Sequence, residues 1–155
     1  VLHVSLVDVT DPHDLRIKAM RVAAKEAHVP LSQKQCVDGS QPGVRSTLRN
    51  LIQTEGAPDA IIADTDSAAI ACIRALHDCG KSVPQDCIVV GFGGTEESEV
   101  ALPSLTTVSF SASEAVGKAW RLLESKRVQG LRSPISEVIE PNLIVRESSL
   151  RNRKA

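Results

Sequence analysis

Three stretches of the chain end a run of strand-forming residues in groups suited to hydroxyl recognition. The first supplies Asp8, Thr10 and Asp11, and the second Asp64, Thr65 and Asp66. The third, VVGFGGTEES (89–98), supplies Gly93, Gly94, Thr95 and Glu96. Arg16 follows shortly after the first. Carboxylates accept hydrogen bonds from sugar hydroxyls, side-chain hydroxyls do both, and a guanidinium adds a planar fork of donors. A phosphate fits this set poorly, because Asp64, Asp66, Glu96 and Glu97 repel an anion. The glycines do not meet the G-x-G-x-x-G spacing of a dinucleotide loop, and no complete Walker motif occurs.

Each of these residues also has a plain structural use. Asp66 stands where a helix N-cap is needed. Gly93 and Gly94 suit a turn with positive φ. Asp8 and Asp11 are common turn residues. Arg16 reads equally as a ligand clamp and as a solvated helix residue.

Cys36, Cys72, Cys79 and Cys87 form no Cys-x-x-Cys pair, and no histidine lies at zinc-ligand spacing from them. They read as small buried hydrophobes in a reducing cytoplasm. The scattered His3, His13, His28 and His77 are assigned no catalytic role. No metal and no cofactor is expected. An enzyme using Asp64 or Asp66 as acid or base lacks any visible nucleophile–base pair.

Alternating strands and helices must position these groups. VLHVSLV (1–7) predicts a strand. Asp11 and Pro12 then predict a helix start, with the helix running from about His13 to His28. A weak strand is expected around Gln33–Val37 and a helix over Pro42–Thr54, where Val44, Leu48, Leu51 and Ile52 share a face. DAIIAD (59–64) and CIVVGF (87–92) are apolar runs of buried-strand type. Between them a helix is expected over Ser67–Cys79, capped by Asp66 and ended by Gly80. Ser111 and Glu114 have capping-box spacing for a helix over Ala112–Arg127 carrying Val116, Trp120 and Leu123 on one stripe. SEVIEP and LIVRES read as extended. The fold class that follows is α/β, a parallel sheet with helices on both faces.

Composition narrows function further. The 155 residues suit about one domain, and the net charge of −1 gives no whole-chain nucleic-acid footprint. Phe92, Phe110 and Trp120 are the only aromatics besides histidine, too few for a reader that stacks bases in series. No run approaches a membrane span, and no signal-peptide layout opens the sequence, so no membrane partner is expected.

PDAIIADTDSAAIACIRALHDCGKSVPQDCIVVGFGGTEE (58–97) resembles the effector-binding domain of LacI/GalR-family bacterial transcription regulators. The resemblance lies in a proline-led strand, a polar pair opening a helix, a Gly-x-x-Val-Pro-x-Asp turn and a Val-Val-Gly-Phe strand. The turn is Gly80, Val83, Pro84 and Asp86 here. LTTV (105–108) is similar to the family's crossover segment and PNLIVRESS (141–149) to its C-terminal strand. The resemblance implies a periplasmic-binding-protein type I architecture, two α/β lobes closing on a small sugar-like effector. It implies residues 1–103 as most of the second lobe and 104–134 as a crossover with a helix packing in the first. Residues 135–149 become C-terminal strands and 150–155 a disordered tail. It implies a cytoplasmic homodimer that touches operator DNA only through an N-terminal headpiece not visible in this chain. The alternative is a solute receptor of the same fold.

Carried over by position, Arg16 matches the family's effector-clamping arginine. Thr65 takes the place of its usual Asn, and Asp66 that of the following Asp. Gly93 falls where relatives often carry a sugar-binding Asp. Asp8 and Asp64 complete the candidate effector set on the strand-end argument. Two departures, Thr65 and Gly93, make a simple hexose or galactoside a poor expectation.

Overall fold

The computed structural model describes residues 1–6, 10–11, 14–129 and 136–151. Among these residues six strands form one sheet: β1 (Leu2–Ser5), β2 (Ser32–Gln35), β3 (Ala60–Ala63), β4 (Ile88–Gly93), β5 (Thr106–Ser109) and β6 (Asn142–Ile144). The order is β2-β1-β3-β4-β5-β6, parallel except for β6, which runs antiparallel to β5. The helices are α1 (Leu15–Glu26), α2 (Gln41–Glu55), α3 (Asp66–Asp78), α4 (Glu96–Val100) and α5 (Ala112–Gln129). A short 3-10 turn, Glu147–Ser149, follows β6.

Strand alternation divides the sheet into two faces. Leu2, Val4, Ile61, Ala63 and Val89 are buried on one, against Val44, Leu48 and Ile52 of α2 and Cys72 and Leu76 of α3. Helix α3 is buried on most of its circumference, and its Ala68, Ala69, Ala71 and Ala75 let it approach sheet and neighbour closely. The other face carries Ile62, Val90 and Val108, and α1 lies over part of it. Helices therefore flank both faces, as the β-α-β alternation predicts.

Local capping explains most boundaries, with two corrections. Helix α1 begins later than predicted, because Asp14 and not Asp11 is its cap: the Asp14 carboxylate accepts from the N–H groups of Arg16 (2.9 Å) and Ile17 (3.3 Å). Helix α3 is capped by Thr65, whose Oγ1 accepts from Ala68 N at 3.1 Å; Asp66 is the first helical residue instead. Ser40 caps α2 and Ser111 caps α5, each through its hydroxyl.

After residue 94 the chain differs more from the sequence expectation. The acidic stretch after β4, for which the sequence predicts no element, forms α4, with Glu96 and Glu97 favourably placed in its first turn. Of the two C-terminal extended segments only Asn142–Ile144 pairs as a strand among the described residues. Beyond it the chain turns inward because side chains replace the ladder. Ser148 Oγ donates to Val89 O (2.6 Å) and accepts from Thr106 N (2.8 Å). Arg146 donates to Ser98 Oγ and Leu105 O, and Arg151 to Pro84 O and Asp59 O. The C-terminal segment is thus bolted to the sheet and the turns beside it. Helix α5 is tied by Lys118 Nζ to Val138 O at 3.0 Å, and its Val116, Trp120 and Leu123 are 63–69% exposed.

Candidate effector site at the carboxyl edge of the sheet

Parallel strands deliver their carboxyl ends, and the starts of the following helices, to one edge. That edge gathers Arg16 (start of α1), Asp64 and Thr65 (between β3 and α3), Asp66 (start of α3) and Gly93 (end of β4). Asp8 and the residue after the predicted cap, Pro12, lie outside the described residues.

Asp64 is 7% exposed and its carboxylate is engaged by protein donors. Oδ1 lies 2.8 Å from His3 Nε2, and Oδ2 accepts from Ser5 Oγ (2.8 Å) and Leu6 N (2.9 Å). A carboxylate partner places the His3 proton on Nε2, leaving Nδ1 to accept from Gln33 Nε2 at 3.1 Å. Gln33 Oε1 in turn accepts from Arg21 Nε at 2.8 Å. Burial opposes the Asp64 charge, but the hydrogen bonds from His3, Leu6 and Ser5 outweigh it and hold the pKa at about 2.

That depression has a sign. A folded pKa below the unfolded value near 3.8 stabilises the fold above that value, and the contribution is lost as pH falls towards about 2. The expected size is about 2 kcal/mol. Asp64→Asn should therefore unfold more easily in urea at pH 6. The gap to the parent should close as both are titrated from pH 4 to pH 2; a gap independent of pH would contradict it.

Asp66 is 1% exposed and joins three elements. Its Oδ2 accepts from Thr95 N (2.8 Å) and its Oδ1 from Thr107 Oγ1 (2.5 Å). Thr107 Oγ1 also accepts from Gly94 N at 3.2 Å. Gly91 makes room for this carboxylate, since a Cβ there would run into Asp66 Oδ1 and lie 3.0 Å from Leu105.

Thr65 is half-buried at the edge, its hydroxyl serving as the α3 cap. Arg16 is exposed and sits 3.2 Å from Asp14 Oδ2. Its hydrogen bond is the main reason the Asp14 carboxyl titrates below the usual range. Gly93 has φ 139°, a region that side-chain-bearing residues rarely adopt, so this strand end presents backbone. An acid at position 93 would require the loop to change shape.

Arg16, Met20, Ile62, Asp64, Val90 and Phe92 are among the residues lining an apolar groove of about 310 Å³ between α1 and the sheet. His3, Ser5, Gln33 and Thr107 escaped the sequence reasoning. The only trace was the alternation of His3 and Ser5 with apolar residues in β1; Gln33 and Thr107 lie in polar strands with no such signal. Among the described residues no group of three or more His, Cys, Asp or Glu could hold a metal ion. No described helix is long and apolar enough to cross a membrane.

Residues 3–149 match the periplasmic binding protein-like domain family. The chain belongs to that family. Its curated relatives include the HTH-type transcriptional repressor MelR of Bacillus subtilis, 35% identical over 65% of this chain and 29% of that protein. They also include the repressor PurR of Actinobacillus pleuropneumoniae, 30% identical over 86% of this chain and 41% of that protein. A LacI family transcriptional regulator from Arthrobacter sp. FB24, solved with lactose, shares the fold with a TM-score of 0.82 at 24% identity. The match covers 95% of this chain and 56% of that one. The resemblance to LacI-type regulators therefore holds, and it covers part of their sensor domain. This chain spans less than half the length of the curated relatives it matches.

Proposed function

We propose that this chain is the effector-sensing lobe of a cytoplasmic LacI/GalR-type regulator, closing with a companion lobe over a sugar-like metabolite. The observation that carries the proposal is the convergence of Arg16, Thr65 and the Gly93 backbone on one sheet edge, in a domain whose curated relatives are transcription regulators. The lactose in the Arthrobacter structure favours a sugar.

Arg16 supplies the charged fork, and Thr65 and the glycine loop shape the floor. Asp64 and Asp66, buried and engaged by protein donors, position these groups rather than bind the effector themselves. The exposed stripe of α5 is where the companion lobe would pack. Effector binding acts by favouring the closed arrangement, and operator affinity in the longer protein follows that shift.

Dimerisation would use the outer edge of α3. Leu102 is 90% and Val100 83% exposed beside a groove lined by Ile70, Ile73 and Pro103. Leu102→Asp in the two-lobed protein is expected to shift sedimentation from dimer to monomer. An unchanged dimer would remove this face from the proposal.

The proposal as a whole is tested by thermal-shift and calorimetric screening of sugars, sugar acids and nucleosides on the two-lobed protein. The ligand found is then added to the operator complex in a fluorescence-anisotropy assay. A ligand that binds without altering DNA affinity, or that is chemically converted, defeats it.

A further inference from the structure

Two of the three Phe, Tyr or Trp residues in this chain meet at the sensing edge. Phe92 is the penultimate residue of β4, and Phe110 directly follows β5. Their ring centroids are 6.4 Å apart with the planes tilted by 43°. The register Phe92↔Val108 and Gly93↔Ser109 places the pair on adjacent strand ends, and alternation puts both on the α1 side with Val90 and Val108. Phe92 is half-buried and lines the same groove as Arg16, whereas Phe110 is 45% exposed.

Several backbone and hydroxyl groups beside this pair are turned inward, while Thr95 and Glu96 after β4 are exposed. Thr95 N and Thr107 Oγ1 serve Asp66, and Gly94 N serves Thr107. Gly93 and Gly94 add no side chain, and the Ser109 side chain is packed against Gly94. The ends of β4 and β5 therefore offer an incoming molecule a ring face, while Arg16 offers hydrogen bonds on the α1 side. A molecule matching both has a hydroxylated rim and an apolar flat face. A pyranose ring has that shape, because its axial C–H bonds form a face of low polarity.

We infer that Phe110, braced by Phe92, is the stacking platform that selects a pyranoside by its C–H face. The inference rests on the sugar-sensing proposal above and names what that proposal leaves open: the recognition element at the ends of β4 and β5.

The test is calorimetry on the two-lobed protein with lactose, cellobiose, methyl β-glucopyranoside and the open-chain polyol sorbitol as probes. At least one pyranoside is expected to bind and sorbitol is not, since it has the hydroxyls without the ring. For the best pyranoside, Phe110→Ala should weaken affinity about tenfold and Phe110→Leu about fivefold, while Phe110→Tyr stays within about twofold. Circular dichroism checks that each variant is folded, which the exposure of Phe110 favours. If Phe110→Ala binds the pyranoside like the parent while Arg16→Ala loses it, the stacking inference fails and the sugar-sensing proposal stands. Sorbitol binding as tightly as the pyranosides also overturns the stacking inference. If the parent binds none of the pyranosides, the stacking inference fails, while the sensing proposal is decided by the wider screen of sugars, sugar acids and nucleosides.

Discussion

Replacing Gly91 with alanine is expected to cost about 3 kcal/mol or more of unfolding free energy, read as a shift in the urea midpoint at unchanged slope. One methyl group has this effect because of what faces it. The added Cβ would collide with Asp66 Oδ1, approach Asp66 Cα to 3.2 Å and touch Leu105 at 3.0 Å. Asp66 has no slack, since Thr107 and Thr95 hold its two oxygens and it sits at the start of a helix packed on most sides. Relief must come from moving the carboxylate off its donors or from prising β4 away from α3. The first leaves a buried charge under-bonded, and the second opens the core. Asp66→Asn should be milder, about 1–3 kcal/mol, because it keeps the shape and loses one acceptor. A Gly91→Ala midpoint matching that of the parent would show that the α3–β4 contact relaxes freely, against the packing described.

Arg16→Ala has the largest expected effect on binding, a loss of about thirtyfold or more in effector affinity on the two-lobed protein. The residue is well prepared for this: α1 is capped by Asp14, and the same carboxylate holds the Arg16 side chain at 3.2 Å. Half of the side chain is open to the edge, so truncation should leave the fold intact. Arg16→Lys should recover little, because an ammonium cannot reproduce the planar fork. Calorimetry with the effector found by screening decides it. Affinity within a factor of two of the parent in Arg16→Ala would leave Arg16 as a solvated helix residue, the other use its sequence position allowed.

The fold was largely legible because its signals are local. Val44, Leu48 and Ile52 at helical spacing, the apolar runs 59–64 and 87–92, and the Ser111 cap each declare themselves within a few residues. The candidate site was legible only as a set of positions. Which of its acids are available depends on partners far along the chain: His3 and Asp64 are 61 residues apart, and Thr107 and Asp66 are 41 apart. No spacing rule reports a carboxylate already engaged by a distant strand. The α4 helix was missed for a similar reason, since a helix of five residues has no periodicity to read. The inward turn at Ser148 depends on a carbonyl of β4, 59 residues away.

Ser109 and Asn142 are registered partners on antiparallel strands, so the chain leaves the sheet and returns to it at neighbouring positions. Paired residues of this kind have Cα atoms only about 5 Å apart. The stretch between them is, in topological terms, a handle with both feet on one rung, and the order of the sheet does not depend on its length. If the chain is cut at the two feet and rejoined by a tight hairpin turn, β5 and β6 are expected to keep their register. Loop closure becomes easier as the connection shortens.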